Sequence, residues 1–150
     1  MFDFFLAMLW IAPVGIMIHE LGHGLAAISL KQTQAVVRIG SGKKLLSIVI
    51  GTVHIQIHAV FFFGGTTDSI RNTPFSKREE AWISVGGPVA NLMLFSGLYI
   101  FLPGGHNGAI QLLMLFNLYL ACFNLIPFKV NGKISDGYRV MQAIFPGLFK

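Results

Sequence analysis

The chain has 150 residues, of which 54% are hydrophobic and only 11% charged, and its formal net charge is +5. An average soluble domain has roughly 25% charged residues, so this composition excludes an ordinary soluble domain of this size. The apolar content also excludes a disordered chain, and the single cysteine, Cys122, excludes a disulfide framework. Nucleic acid is not an expected partner, because the basic residues flank long apolar runs. A lipid bilayer is the environment that this composition fits.

Three apolar stretches are long enough to cross a bilayer, at residues 4–30, 82–102 and 109–128. With a rise of about 1.5 Å per residue, about 20 helical residues reach roughly 30 Å, the thickness of the hydrocarbon core. The first stretch carries His19, Glu20 and His23, which are foreign to a signal peptide, and no basic region precedes it. We therefore predict a mainly α membrane protein with three transmembrane helices.

The distribution of positive charge predicts the orientation of these spans. All 11 lysines and arginines lie either between the first two stretches or after the third. Because positively charged loops face the cytoplasm, we expect the 31–79 loop and the C-terminus there and the N-terminus outside. The small size and the lack of a targeting signal favour a prokaryotic plasma membrane.

Residues 35–66, between the first two spans, have the pattern of a β-sheet. Runs of β-branched and aromatic residues are separated by Gly40-Ser41-Gly42, Gly51-Thr52 and Gly64-Gly65. We predict a small antiparallel sheet of two to four strands. Because open sheet edges cannot face lipid, the sheet must lie at the membrane surface or be covered by protein.

The segment His19-Glu20-Leu21-Gly22-His23 matches the pattern HExxH. On a helix, residues i and i+4 project from one face, so both imidazoles can reach one ion, and Zn²⁺ accepts two histidines plus a carboxylate. Glu20 lies beside the first ligand and can act as general base on zinc-bound water. The alternative is a helix end with interfacial histidines. Ionisable groups within an apolar span are costly and usually mark function, which favours the metal site.

The sequence offers Asp136 as the third zinc ligand but leaves its role open. Asp136 follows the third span, in Ser135-Asp136-Gly137. If the chain turns back after Pro127, the carboxylate could reach the metal. Alternatively, Asp136 could cap the N-terminus of a short helix over residues 137–145. The spacing alone does not decide between these two roles.

The second span is interrupted by Gly86-Gly87-Pro88-Val89-Ala90-Asn91. Pro88 removes one helical hydrogen bond and favours a kink, and the glycines allow another backbone to approach closely. Asn91 lies on nearly the same helix face as Pro88. Its amide either binds a substrate carbonyl or bonds to a neighbouring helix.

Three motifs together resemble the site-2 protease family of intramembrane zinc metalloproteases. They are HELGH at 19–23, GGPVAN at 86–91 and NLIP…SDG at 124–137. The family has HExxH, then a G-P-x-x-N span, then N-x-x-P followed by Asp-Gly, in this order. The resemblance implies three zinc ligands and a catalytic base, which are His19, His23 and Asp136, with Glu20 as the base.

The resemblance also implies residues that contact the substrate. Asn91 and Asn124 are expected near the site, where they hold substrate or structure. The strand that ends at Gly64 and Gly65 is similar to the edge strand of the family, against which an unwound substrate can pair.

Two features depart from the family pattern. The family places the Asp about eight residues after the first Asn, whereas Asn124 and Asp136 are 12 apart, so we expect an inserted turn at residues 130–133. Many members carry additional regulatory domains, and 150 residues have no room for one. We therefore expect residues 1–150 to form a single catalytic core that is regulated by a partner or by substrate access. A homo-oligomer or a complex with a regulatory membrane partner is the expected assembly.

The function that follows is an intramembrane zinc endopeptidase that hydrolyses a peptide bond in a transmembrane or membrane-inserted segment. The main rival is a non-catalytic membrane scaffold or assembly factor that retains the protease fold. A metal-binding or transport protein is a third alternative. Glu20 separates these functions, because neither a scaffold nor a carrier needs a general base.

Overall fold

The computed structural model describes residues 5, 7–102, 108–130 and 132–148. A π-helical turn, Ala7–Ile11, continues into the first α-helix, and the elements then follow in the order α1 (Ala12–Ser29), β1 (Gln34–Ile50), β2 (Val53–Ile70), α2 (Lys77–Phe101), α3 (Gly108–Leu125), β3 (Lys129–Val130), β4 (Lys133–Ile134) and α4 (Asp136–Ile144). The expected start of the first span at Phe4 and the Asn131 position of the inserted turn lie outside the described residues.

Three helices are long and apolar enough to cross a membrane, over Leu9–Ser29, Lys77–Phe101 and Gly108–Leu125. They confirm the three predicted apolar helices, with different ends. The second helix begins at Lys77 rather than at residue 82, because Ser76 and Glu79 form a capping box that satisfies its first backbone N–H groups. The third ends at Leu125 rather than at residue 128, since Pro127 disfavours helical geometry in the residue before it.

Glycines bring α1 and α2 into backbone contact. A Cβ atom added at Gly22 would lie 2.4 Å from the carbonyl oxygen of Gly86, and one added at Gly86 would lie 2.5 Å from that of Gly22. No side chain larger than hydrogen fits between the two helices here. The expected close approach of another backbone to the glycines of the second span is confirmed at Gly86. This contact places the first two motifs side by side.

The sheet is built from two long strands that each contribute two segments. Residues 34–39 pair antiparallel with 65–70, and residues 46–50 pair antiparallel with 53–57. Residues 35–39 also pair with residues 53–57, and here the two segments run in the same direction, so this pairing is parallel. The amide of Ala35 donates to the carbonyl of Thr52 at 2.9 Å. Gly40, with φ of 80°, lets the chain turn within β1. The antiparallel sheet is confirmed for the main pairings, and it extends to Ile70 rather than to residue 66.

One face of this sheet packs on α1. Ala35, Val37 and Ile39 alternate along β1 and are buried, and Val37 and Ile39 form a core cluster with Ile16 of α1. Because successive side chains of a strand point to opposite faces, these three residues lie on the same face of the sheet, and that face packs against α1. The segment 65–70 is thereby held beside the HExxH turn.

Apolar side chains cover the outer surfaces of the helices. Met93 and Phe101 of α2 are 70% and 81% exposed, and Leu115 of α3 is 61% exposed. A soluble monomer rarely leaves so many large apolar groups in water. The outward faces of the helices are therefore suited to lipid.

Arg71 ties the end of α1 to the start of α2. Its guanidinium donates to the carbonyl of Leu30 at 3.1 Å and to both carboxylate oxygens of Glu79 at 2.8 and 3.1 Å. The same group lies 4.4 Å from the centre of the Phe75 ring. A planar guanidinium matches a carboxylate with two parallel hydrogen bonds, so this contact fixes direction as well as distance.

Candidate metal centre

The three predicted zinc ligands lie close together, although Asp136 is far from the histidines in sequence. The Nε2 atom of His19 lies 3.1 Å from Oδ2 of Asp136, and Nε2 of His23 lies 3.4 Å from the same oxygen. Two ligands at about 2.1 Å from a tetrahedral zinc ion stand about 3.4 Å apart. The donor atoms of all three residues lie within 4.8 Å of one another. Their chemistry and spacing fit zinc.

Gly87 of α2 lies directly against the rings of both histidines. A Cβ atom at this position would stand 2.5 Å from Nε2 of His23 and 2.8 Å from Nε2 of His19. Both distances are shorter than real contacts of a Cβ atom. Glycine is thus required beside the two ring nitrogens that face Asp136.

A short hairpin returns the chain so that Asp136 faces the histidines. After α3 the strands β3 and β4 pair, with Gly132 at φ of 79° in the turn between them. Ser135, not Asp136, caps α4, because its hydroxyl accepts from the amide of Tyr138 at 3.2 Å. The Asp136 carboxylate is therefore available to the histidines. Of the two roles that the sequence left open, the geometry favours the metal ligand.

The charge state of Asp136 suits a ligand. Burial raises the pKa of its carboxyl, whereas hydrogen bonds from His19 and His23, and the positive charge that they carry when protonated, lower it. The net pKa lies below the ordinary value. Asp136 is then an anion at neutral pH, which is the form that binds a metal ion.

Both histidine rings are oriented by acceptors on α2. The Nδ1 atom of His19 lies 2.5 Å from Oδ1 of Asn91, and Nδ1 of His23 lies 2.8 Å from the carbonyl oxygen of Ile83. A carbonyl can only accept, so each Nδ1 carries a proton, and Nε2 is the nitrogen that each ring can offer to a metal ion. The amide nitrogen of Gly87, 3.3 Å from Nδ1 of His23, is then only a packing neighbour.

Glu20 is held on the sheet side of the site. Its side chain is buried, and the hydroxyl of Thr67 lies 2.7 Å from its Oε2. A Cβ atom at Gly65 would come within 2.7 Å of the Glu20 Cγ atom, so the strand passes close to this carboxylate. Sequence reasoning missed Thr67. The one signal was the alternation that places residues 65 and 67 on the same face of a strand.

The remaining predicted residues differ in what they contact. Asn91 is fully buried, and its amide nitrogen donates to the carbonyl of Gly15 and to Oδ1 of Asn117, which sequence reasoning also missed. This arrangement favours the alternative in which Asn91 bonds to neighbouring helices. Asn124 borders the site, and its amide donates to the carbonyl of Leu120 at 2.8 Å. Gly64 has φ of 75° and open space around it. The roles of Asn91, Asn124, Gly64 and Gly65 in substrate binding stay predictions.

These groups line a cavity of about 450 Å³. The general-base candidate, the three ligand candidates, Asn124 and the strand segment 65–69 all border it. The arrangement combines a metal-binding triad, an adjacent carboxylate and an open strand edge.

Comparison with known proteins identifies the family of this chain. The sequence model of Peptidase family M50 matches residues 4–108, which include the HExxH segment and Asn91. A curated relative, "Putative zinc metalloprotease sll0528" of Synechocystis sp. (strain ATCC 27184 / PCC 6803 / Kazusa), is 33% identical over 133 residues. That alignment covers 84% of this chain and 28% of the relative, so the chain spans little more than a quarter of its length. The chain belongs to peptidase family M50, the site-2 protease family.

Proposed function

We propose that this chain is a membrane-embedded zinc endopeptidase that cleaves a transmembrane or membrane-inserted segment. The observation that carries the proposal is the convergence of His19, His23 and Asp136 beside the buried carboxylate of Glu20. A structural site would need only the ligands. The extra carboxylate and the cavity supply what hydrolysis needs.

The residues of the chain divide the reaction between them. His19, His23 and Asp136 would hold zinc, which when bound polarises the scissile carbonyl and acidifies a water molecule. Glu20 would accept a proton from the attacking water and deliver it to the leaving amine. The hydroxyl of Thr67 holds the Glu20 carboxylate toward the cavity.

The strand segment 65–69 supports an extended substrate. It pairs with residues 34–39 on one edge, and it borders the cavity. The peptide bonds of a membrane helix are satisfied within the helix, so a substrate must unwind before hydrolysis. Pairing with the strand edge would satisfy its freed N–H and C=O groups.

The membrane arrangement belongs to the same proposal. The three apolar helices would span the bilayer, with the 31–79 loop and the C-terminus in the cytoplasm. The described elements would act as one catalytic core. Water would then reach the site from the cytoplasmic side, where the polar loop lies.

Zinc content tests the metal site. We expect about one zinc per chain in detergent-purified wild type, and its loss in H23A and D136A, since each variant removes one of three ligands. No zinc in wild type purified without chelators would contradict the proposal and favour a scaffold. If D136A retains zinc and H23A loses it, Asp136 is not a zinc ligand.

The replacement Glu20→Gln tests the catalytic role. The amide keeps the shape of the side chain but cannot accept a proton, so cleavage should stop while zinc remains bound. Membranes incubated with purified wild type or E20Q would be compared for new peptide N-termini. New termini that appear with wild type alone identify substrates. Equal termini with E20Q would show that Glu20 is not the base.

A further inference from the structure

We propose that Asn117 of α3 is a positioning residue for the zinc site, acting through Asn91 to hold the His19 ring with Nε2 toward the metal. The inference rests on the proposed zinc site. Asn117 is fully buried, and it is not one of the described residues that border the catalytic cavity. It therefore acts on a ligand and not on the substrate.

The amide of Asn91 has one orientation available. Its nitrogen donates one hydrogen to the carbonyl oxygen of Gly15 at 3.1 Å and the other to Oδ1 of Asn117 at 2.6 Å. If the amide were reversed, its oxygen would face the oxygen of Gly15, and two acceptors would meet in a buried place. The backbone of α1 thus turns Oδ1 of Asn91 toward His19.

The amide of Asn117 is fixed in the same way. Its nitrogen donates to the carbonyl oxygen of Leu113 at 2.8 Å. A reversed amide would place its oxygen against the oxygen of Leu113 and its nitrogen against the nitrogen of Asn91. Asn117 can therefore offer Asn91 only an acceptor.

The hydrogen bonds that run from Asn117 through Asn91, which we call the amide relay, end at His19, the first zinc ligand. Because Nδ1 of His19 faces an oxygen at 2.5 Å, it must carry a proton, and Nε2 faces Asp136 at 3.1 Å, where it would bind the metal. The chain of bonds crosses three helices, from Leu113 in α3 through Asn91 in α2 to His19 in α1. Without Asn117, the amide nitrogen of Asn91 would keep only the Gly15 contact, and one buried N–H group would lack its acceptor.

The test compares zinc affinity in N117A and in a matched packing variant, M114A. Met114 lies on the same helix and is buried, but it belongs to no part of the amide relay. Residues behind a metal ligand typically change affinity by 10–100-fold, and Asn117 is one step farther from the ion. We expect a loss of about tenfold in N117A and none in M114A, measured by competition with a fluorescent zinc chelator on detergent-purified protein.

A second variant separates the hydrogen bond from packing. In N117D the carboxyl keeps an oxygen that accepts from Asn91, and when protonated it also donates to Leu113. We expect N117D to bind zinc more tightly than N117A, at comparable melting temperatures of the zinc-free proteins. If N117D is no better than N117A, or if N117A and M114A bind equally, the inference is overturned while the zinc site stands. If wild type binds no zinc, the proposed function fails and the inference fails with it.

Discussion

Replacement of Gly87 by alanine should weaken zinc binding by at least about 100-fold without unfolding the protein. The added Cβ atom would stand 2.5 Å from Nε2 of His23 and 2.8 Å from Nε2 of His19. Ordinary contact begins near 3.4 Å, so the two rings would have to retreat by about 0.6 to 0.9 Å. A zinc site tolerates about 0.2 Å in its metal–ligand distances.

The rings have little room to retreat. Each Nδ1 atom is held from behind, by Asn91 for His19 and by the carbonyl of Ile83 for His23. Because both ligands are displaced at once, we expect a loss of affinity of at least about 100-fold, the upper end of the range for changes outside the ligand set. This corresponds to about 2.7 kcal/mol of binding free energy.

The assay is zinc content by mass spectrometry, followed by chelator competition, on G87A and G97A side by side. Gly97 lies on the same helix, and nothing stands within 4 Å of a Cβ atom added there. Because the substitution is identical, G97A controls for helix propensity and handling. G97A should have the zinc content and zinc affinity of wild type, and its melting temperature should be no lower than that of wild type. Wild-type affinity in G87A would refute the reasoning that an added Cβ atom displaces both histidine ligands.

Two further predictions test the elements around the site. Thr67→Val removes the hydroxyl that donates a hydrogen bond to the Glu20 carboxylate. Because a hydrogen bond to a charged group contributes about 1.5–3 kcal/mol, kcat should fall about tenfold or more. The rate is measured on a substrate identified with E20Q, and the zinc content should not change. An unchanged kcat would show that Thr67 does not position the base. Arg71→Ala removes the contacts to Leu30 and Glu79 and should lower the melting temperature, whereas Arg78→Ala, the same change at an exposed residue of α2, should not. Equal melting of the two variants would show that Arg71 does not join α1 to α2.

Local pattern was sufficient for the features that depend on neighbours in sequence. The apolar stretches predicted three helices because a helix in lipid needs about 20 apolar residues, whatever it packs against. HExxH predicted two histidines on one helix face because the spacing of four residues is close to one helical turn. The predicted helix ends were displaced where capping decided them, as at Ser76.

Residues distant in sequence could be proposed as candidates but not placed. Spacing left Asp136 equally suited to a helix cap and to a metal ligand, and the β3–β4 hairpin with Ser135 as the cap decided in favour of the histidines. Thr67 and Asn117 carry no motif, and they matter only because β2 and α3 pack where they do.

The sequence by itself predicted three apolar helices long enough to cross a bilayer, and it placed His19, Glu20 and His23 within about one helical turn. Only the tertiary structure decided which carboxylate lies beside the two histidines, which amide contacts His19 and which glycine lies against the two histidine rings. The physical reason is that periodicity constrains atoms a few residues apart. The meeting of Asp136, Asn91 and Gly87 with α1 depends on how separate elements pack.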